Sequence, residues 1–192
     1  NSFIYAADNS ILGAIPAEQN RQPVPLRRIS AWMPKATVAI EDRRFYEHGG
    51  IDLIGTFRAI ATNARAGGVV QGGSTLTQQL AKNLFLTQER TITRKLQEVL
   101  LALWLERKYT KTEILELYLN RVYYGSGATN IKKAAQVFYH KSATDLNLTE
   151  AATLAGVLKA PTNYNPITRP EASAERARLV LNAMVDADFI SQ

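Results

Sequence analysis

The sequence predicts an all-α, mostly helical fold with a short extended preface, and three observations carry that expectation. From about Ser30 onward apolar residues recur at helical spacing. Capping residues and glycine or proline breaks punctuate the pattern. No internal repeat or low-complexity tract interrupts it. A chain of 192 residues suits one domain with a sizeable core, or one core with a small appended lobe.

The elements follow in order. Residues 1–28 carry Asp8-Asn9-Ser10 between short apolar runs and then Pro23 and Pro25, which fits a hairpin-like or extended lead-in before a domain over 29–192. Pro34 suits the first turn of a helix running through Ala36-Thr37-Val38-Ala39-Ile40 to Glu41. Asp52 caps a helix to about Ala66, closed by Gly67-Gly68, and Ser74 caps the next after the Gly72-Gly73 turn. Ile92, Leu96, Val99 and Leu103 share a face of a further helix, which becomes apolar all round from Val99 to Leu105 and is expected to be central and buried there. Thr110 and Glu113 form a capping box for a helix through Asn120; Thr149 caps one through about Leu158; Pro170 opens a last one to about Val185.

Composition narrows the chemistry. The formal net charge of +6 points to an anionic partner, whether nucleic acid, an anionic membrane surface or a phosphorylated substrate. With no cysteine there is no disulfide, thiol nucleophile or thiolate metal site, and two histidines are too few for a zinc cage. No apolar run approaches the roughly 20 residues that span a bilayer. There is no signal peptide, and Asn1 suggests an excised or processed fragment.

Three stretches carry candidate chemistry. In Glu41-Asp42-Arg43-Arg44-Phe45-Tyr46-Glu47-His48-Gly49-Gly50 a carboxylate stands at the end of an apolar helix. Burial there would raise the proton affinity of Glu41 while Arg43 and Arg44 would lower it, so the two oppose; an isolated pair of this kind would be a solvated helix end. After Gly72-Gly73, the segment Ser74 to Asn83 puts Leu76, Leu80 and Leu84 on one stripe and Thr75, Gln78, Gln79 and Lys82 opposite, a face able to hold an anion. It is not a phosphate-binding P-loop, because Gly73 stands where that motif needs lysine, and Ser74 reads as an N-cap rather than a nucleophile. In Arg90-Thr91-Ile92-Thr93-Arg94-Lys95-Leu96-Gln97-Glu98, Glu98 sits where a solvated helix enters the core, with Arg94 four residues earlier as a partner. Two glutamates beside a basic, amide-bearing surface are the inventory for sugar chemistry on a phosphorylated donor.

These motifs resemble the signatures of the peptidoglycan glycosyltransferases, glycosyltransferase family 51, which occur alone or as a module of bifunctional penicillin-binding proteins. Residues 41–50 are similar to the first signature, 73–83 to the second and Arg94 to Glu98 to the third. Lys111 to Asn120 is similar to the fourth, and Arg176-Ala177-Arg178-Leu179-Val180-Leu181 loosely to the fifth. The pattern departs at Gly127-Ala128-Thr129-Asn130-Ile131, where the family usually has Tyr-Gly before the Ile, and at Tyr139-His140-Lys141, where Phe-Gly-Lys is commoner.

The resemblance implies a lysozyme-like, bilobal helical domain with a large head and a small membrane-proximal jaw, to which residues 51–70 would contribute. It implies lipid II as acceptor, the growing lipid-linked glycan as donor, and a membrane surface as the setting. The location implied is the outer face of a bacterial cytoplasmic membrane, with an N-terminal anchor that this chain lacks. Glu41 would be the general base and Glu98 would assist the diphosphate. Lys82, Arg90, Arg94 and Lys95 would neutralise that diphosphate, with Ser74, Gln78 and Gln79 as neutral donors; Asp42, Phe45 and His48 would shape the site. The resemblance fixes no required cofactor and leaves a place for a divalent cation, Mg or Mn, at Glu98. A transpeptidase module or other cell-wall synthesis proteins would be the protein partners, and nucleic acid would not. A lysozyme-like glycoside hydrolase and a basic nucleic-acid-binding helical domain are the alternatives, but the first needs no cation-lined diphosphate pocket and the second lacks a recognisable motif.

Overall fold

The computed structural model describes residues 2–5, 11–15, 23–67, 72–85 and 91–191. The described chain is mostly helical, as the sequence predicts, and the lead-in holds a two-stranded antiparallel hairpin, β1 (Ser2–Tyr5) and β2 (Ile11–Ile15), with an irregularity between Ile4 and Tyr5. A 3-10 turn over Leu26–Arg28 then leads into eight α-helices among the described residues, with a second 3-10 turn over Ala143–Asp145: α1 (Trp32–Glu41), α2 (Leu53–Ala66), α3 (Leu76–Phe85), α4 (Ile92–Lys108), α5 (Lys111–Leu119), α6 (Ile131–Tyr139), α7 (Leu148–Val157) and α8 (Pro170–Asp186).

The core forms where α1, α3, α5 and α7 bury their apolar stripes. Met33, Ala36, Val38, Leu76, Leu80, Leu115, Leu119, Leu154 and Val180 sit in one cluster, and Tyr118 and Tyr124 are the largest side chains fully enclosed in it. The alanine-rich face of α7, including Ala151, Ala152 and Ala155, brings it close to α1 and α8 because small side chains permit close helix approach. The segment before α1 is tied down by polar bonds: Val24 N–H donates to Asn120 Oδ1 at 2.8 Å, and Leu26 N–H donates to Glu116 Oε2 at 2.7 Å.

Several helix starts stand where the sequence places them. Asp52 Oδ1 accepts from Gly55 N–H at the start of α2, Thr110 and Glu113 form a reciprocal capping box on α5, and Pro170 opens α8. Two caps are shifted. Thr75, not Ser74, begins α3, because its hydroxyl accepts from Gln78 N–H while Gln78 Oε1 accepts from Thr75 N–H; this is the same reciprocal box, with glutamine in the glutamate position. Asn147, not Thr149, begins α7, its side chain pairing with Glu150 in a third box.

Helix α6 is an element beyond those the sequence pattern predicts, and Asn130 caps it. His140 ends it at φ 55°, a left-handed conformation that glycine adopts freely. The expectation that Val99 to Leu105 is buried all round is corrected. Leu101, Ala102 and Leu105 face inward, but Leu100 and Trp104 continue an outward stripe from Ile92 and Leu96.

The Glu150 carboxylate is lowered from its ordinary range: burial pushes it up, but the bonds from Lys141 and from Asn147 N–H outweigh that. Stability from this box is therefore present above the ordinary carboxylate pKa and lost as pH falls through the lower folded value. Asn147→Ala should destabilise the fold by about 1 kcal/mol, measured as a drop in thermal midpoint at neutral pH.

Candidate active site

Glu41 is the last residue of α1, and Asp42 follows it in extended backbone that turns the chain out of the helix. The buried Asp42 carboxylate is fully engaged. It accepts from Leu76 N–H, the first amide of α3, at 2.9 Å, and His48 Nε2 lies 2.9 and 3.1 Å from its two oxygens. A carboxylate at a helix N-terminus meets unpaired amides and the positive end of the helix dipole, so Asp42 locks the end of α1 to the start of α3.

The loop between them is anchored by Phe45, fully buried, which packs edge-on to His48 and lies under the Lys111 ammonium at 4.5 Å. Lys111 Nζ also donates to His48 O, and Thr75 Oγ1 donates to Gly50 O at 2.6 Å.

This scaffold holds Glu41 at one wall of a cleft of about 470 Å³, lined also by Asp42, Arg44, Asp52, Thr56, Arg58, Ser74, Thr75, Gln79, Lys159 and Arg176. Gln79 Nε2 donates to Glu41 Oε2 at 2.9 Å, and the buried Tyr118 hydroxyl donates to Gln79 Oε1 at 2.9 Å.

Burial raises the Glu41 carboxyl above its ordinary value; the Gln79 hydrogen bond, Arg176 and Lys159 pull it back, and Asp42 adds a small push upward. The side chain is partly open to the cleft, yet the protein packed around its carboxyl removes enough water for burial to dominate.

Arg43 and Arg44, expected to be the opposing cations, are directed elsewhere. Arg43 reaches Asp186 at 3.1 Å, and Arg44 reaches Glu47 and Asp52 at 2.8 and 3.0 Å. The cations that act on Glu41 instead come from beyond α7 and from α8. Arg176 is buried, crosses Gly156 where an added Cβ would fall 2.9 Å from its Cγ, and has no hydrogen-bond partner at Nε. Its position in the loosely matching fifth motif was the one available sequence signal; Lys159 had none.

The other expected residues divide. Ser74 lines the cleft and accepts from Lys95 Nζ at 3.0 Å, and the same ammonium pairs with the buried Glu98 carboxylate. The partner seen on Glu98 is thus Lys95, three residues earlier, where the sequence suggested Arg94. Gln78 is buried and spends its oxygen on the α3 cap. Lys82 is exposed on α3 and Arg94 half-buried on α4, and neither is among the residues lining the cleft. Arg90 lies outside the described residues.

Among the described residues the Glu98 carboxylate is held by the Lys95 ammonium, which neutralises it in this structure. Among the described residues, Asp42, His48 and Asp52 bring ligand atoms within 4.8 Å of one another. Protein donors already bond both Asp42 oxygens and Asp52 Oδ1, and the Arg44 guanidinium on Asp52 puts a positive charge inside the group, while the buried His48 Nδ1 has no partner among the described residues.

The comparisons agree with this architecture. The family model described as Transglycosylase matches residues 8–185. The chain belongs to the transglycosylase family. It is 48% identical over 190 residues to penicillin-binding protein 1A of Aquifex aeolicus, covering 99% of this chain and 26% of that protein. It is 46% identical over 189 residues to penicillin-binding protein 1A of Escherichia coli, covering 98% and 22% respectively. The crystal structure of penicillin-binding protein 1A from Haemophilus influenzae is similar with a TM-score of 0.53 at 27% identity, over 99% of this chain and 19% of that one. This transglycosylase chain therefore spans about a quarter of the length of the relatives it matches.

A carboxylate held above its ordinary pKa has a linked cost. Its penalty to folding is absent below the ordinary value, builds as pH rises through the folded value, and is complete above it. Glu41→Gln, which can still accept from Gln79, should raise the thermal midpoint by about 2 °C at neutral pH. That gain should vanish in melts at pH below the ordinary carboxylate range.

Proposed function

We propose that this transglycosylase chain polymerises peptidoglycan glycan strands, with Glu41 as the general base. The observation that carries the reading is Glu41 itself: a carboxylate whose affinity for a proton is raised by burial, oriented by Gln79, at the wall of a cleft that also presents Arg44, Arg58, Lys159 and Arg176. The acceptor is lipid II and the donor is the growing glycan on its lipid diphosphate. A sugar hydroxyl does not ionise near neutral pH, so its proton must leave as it attacks. The 4-hydroxyl oxygen forms a bond to the donor's anomeric carbon and its proton passes to Glu41. The bond from that carbon to the diphosphate breaks on the opposite face, inverting the linkage from α to β-1,4. The leaving diphosphate gathers negative charge, and fixed cations lower that barrier. Lys95, held between Ser74 and Glu98, is preoriented at the cleft edge for that task.

Hydrolysis is not favoured: among the described acids lining the cleft, Asp42 and Asp52 are held by His48, Leu76 N–H, Arg44 and Gly55 N–H, so neither is free to activate water as a second carboxylate. The proposed setting is a membrane surface at the outer face of the cytoplasmic membrane. Leu53, Ile54, Phe57 and Ile60 of α2 are exposed, Phe57 by 71%, and so are Ile92, Leu96 and Leu100 of α4. For the helical jaw residues this supports lipid contact over core packing; Val69 and Val70 lie outside the described residues. No described helix is long and apolar enough to cross a membrane. A transpeptidase module elsewhere in a longer protein is proposed because the similar proteins are penicillin-binding proteins of which this chain spans about a quarter.

Incubation with purified lipid II should yield polymer that muramidase digests. Glu41→Gln should lower its rate by about 100-fold or more, and a variant that polymerises normally would remove the base assignment. In the wild type the rate should fall as pH drops through a midpoint above the ordinary carboxylate value, because only ionised Glu41 accepts the proton.

A further inference from the structure

Tyr118 is fully buried, and its hydroxyl lies at the far end of a line of two hydrogen bonds ending on Glu41. The middle group, the Gln79 side-chain amide, can turn end over end with almost no change of shape. Its direction is decided by what stands on either side. With nitrogen toward Glu41, the amide N–H meets a carboxylate and the amide oxygen meets a hydroxyl hydrogen. Reversed, the amide oxygen would face the carboxylate oxygen, and the hydrogen of the fully buried Tyr118 hydroxyl would lose its acceptor. Burial pushes the Tyr118 phenol well above its ordinary range, with the Glu41 charge adding to the effect, so it remains a donor at any working pH.

We propose that Tyr118 is a positioning residue for the transfer reaction: through Gln79 it fixes the orientation of the Glu41 carboxylate that receives the acceptor proton. The inference rests on the reading of Glu41 as the base and adds a group that never touches substrate. The two bonds run in one sense, hydroxyl to amide oxygen and amide nitrogen to carboxylate, so each polarises the other. Proton capture by Glu41 does not break the line, since the uncharged acid still offers a carbonyl oxygen to the Gln79 N–H. The other groups facing Glu41 are Arg176 of α8, Lys159 beyond α7 and Asp42 beside it. Among the described residues, the hydrogen bonds to the amide that set its direction are those with Glu41 and Tyr118.

The test is lipid II polymerisation by Tyr118→Phe, which keeps the ring in the core and removes only the hydroxyl. The rate at saturating lipid II should fall about fivefold to tenfold with KM within about twofold, and the acid limb of the pH profile should move to higher pH. Gln79→Met should move that limb further, and the double variant should be no worse than Gln79→Met alone, because Tyr118 acts only through Gln79. Gln79→Glu, which keeps an acceptor for Tyr118 but sets an oxygen against Glu41, should move the limb furthest. An unmoved acid limb in Tyr118→Phe with an unchanged thermal midpoint overturns the proposal, as does a multiplicative loss in the double variant. If Tyr118→Phe is too unstable to assay, an unmoved limb in both Gln79 variants overturns it and a graded shift between them upholds it. Glu41→Gln separates the two readings: normal polymerisation by that variant removes the base itself, whereas an inactive Glu41→Gln beside an unshifted Tyr118→Phe removes only the relay.

Discussion

The Asp42 carboxylate is the constraint on which the site depends. It is buried, and a buried charge persists only when donors satisfy it. Its donors are the first amide of α3 and the His48 ring, so a single side chain joins the end of α1, the 43–50 loop and the start of α3. The geometry of Glu41 follows from that junction. The residue before Asp42 lies against Gln79, one turn into α3, and Gln79 in turn reaches Tyr118 on α5. Removing the Asp42 charge would free three segments at once.

The electrostatics of Glu41 depend on elements far from it in sequence. The close packing of α7 on α8 carries Arg176 past Gly156 and toward the cleft. Burial and cations act on Glu41 in opposite senses, and burial prevails. That balance suits a base: a carboxylate held too low would not take a proton, and one wholly desolvated would already carry it near neutral pH. The nearest arginines in sequence do not upset the balance because Asp186, Glu47 and Asp52 divert them.

Local rules made much of the frame legible. Asp52, Thr110 with Glu113, and Pro170 begin helices where the sequence says they should, because a cap depends on residues only three positions apart. The same rule erred by one or two positions at Ser74 and Thr149, where the partner that decides the cap is Gln78 or Glu150, counted back three places to Thr75 and Asn147. Placing Glu41 and Asp42 at the end of an apolar helix was also legible. What could not be read were relations between helices. Tyr118 is fully buried core, yet its hydroxyl is aimed at Gln79, a relation no spacing within α5 encodes. Amphipathic periodicity put Gln78 and Gln79 on one polar face, whereas the fold turns the first inward to its own cap and the second toward Glu41.

Helix α2 connects the cleft to the proposed membrane surface. Asp52 caps it and Arg44 grips that cap, Ala59 is buried, and Thr56 Oγ1 donates to Gly73 O at 3.1 Å. On the same helix Thr56 and Arg58 line the cleft, while Leu53, Ile54, Phe57 and Ile60 are exposed. An apolar face in water is costly, about 25 cal/mol for each Å² that a lipid phase could cover. A diphosphate is costly to move away from cations and water. A substrate with a lipid tail and a charged head meets both demands only where an apolar face and a cationic cleft adjoin. One short helix supplies that adjacency, and the two faces of α2 are what join the proposed chemistry at Glu41 to the proposed lipid-borne sugar.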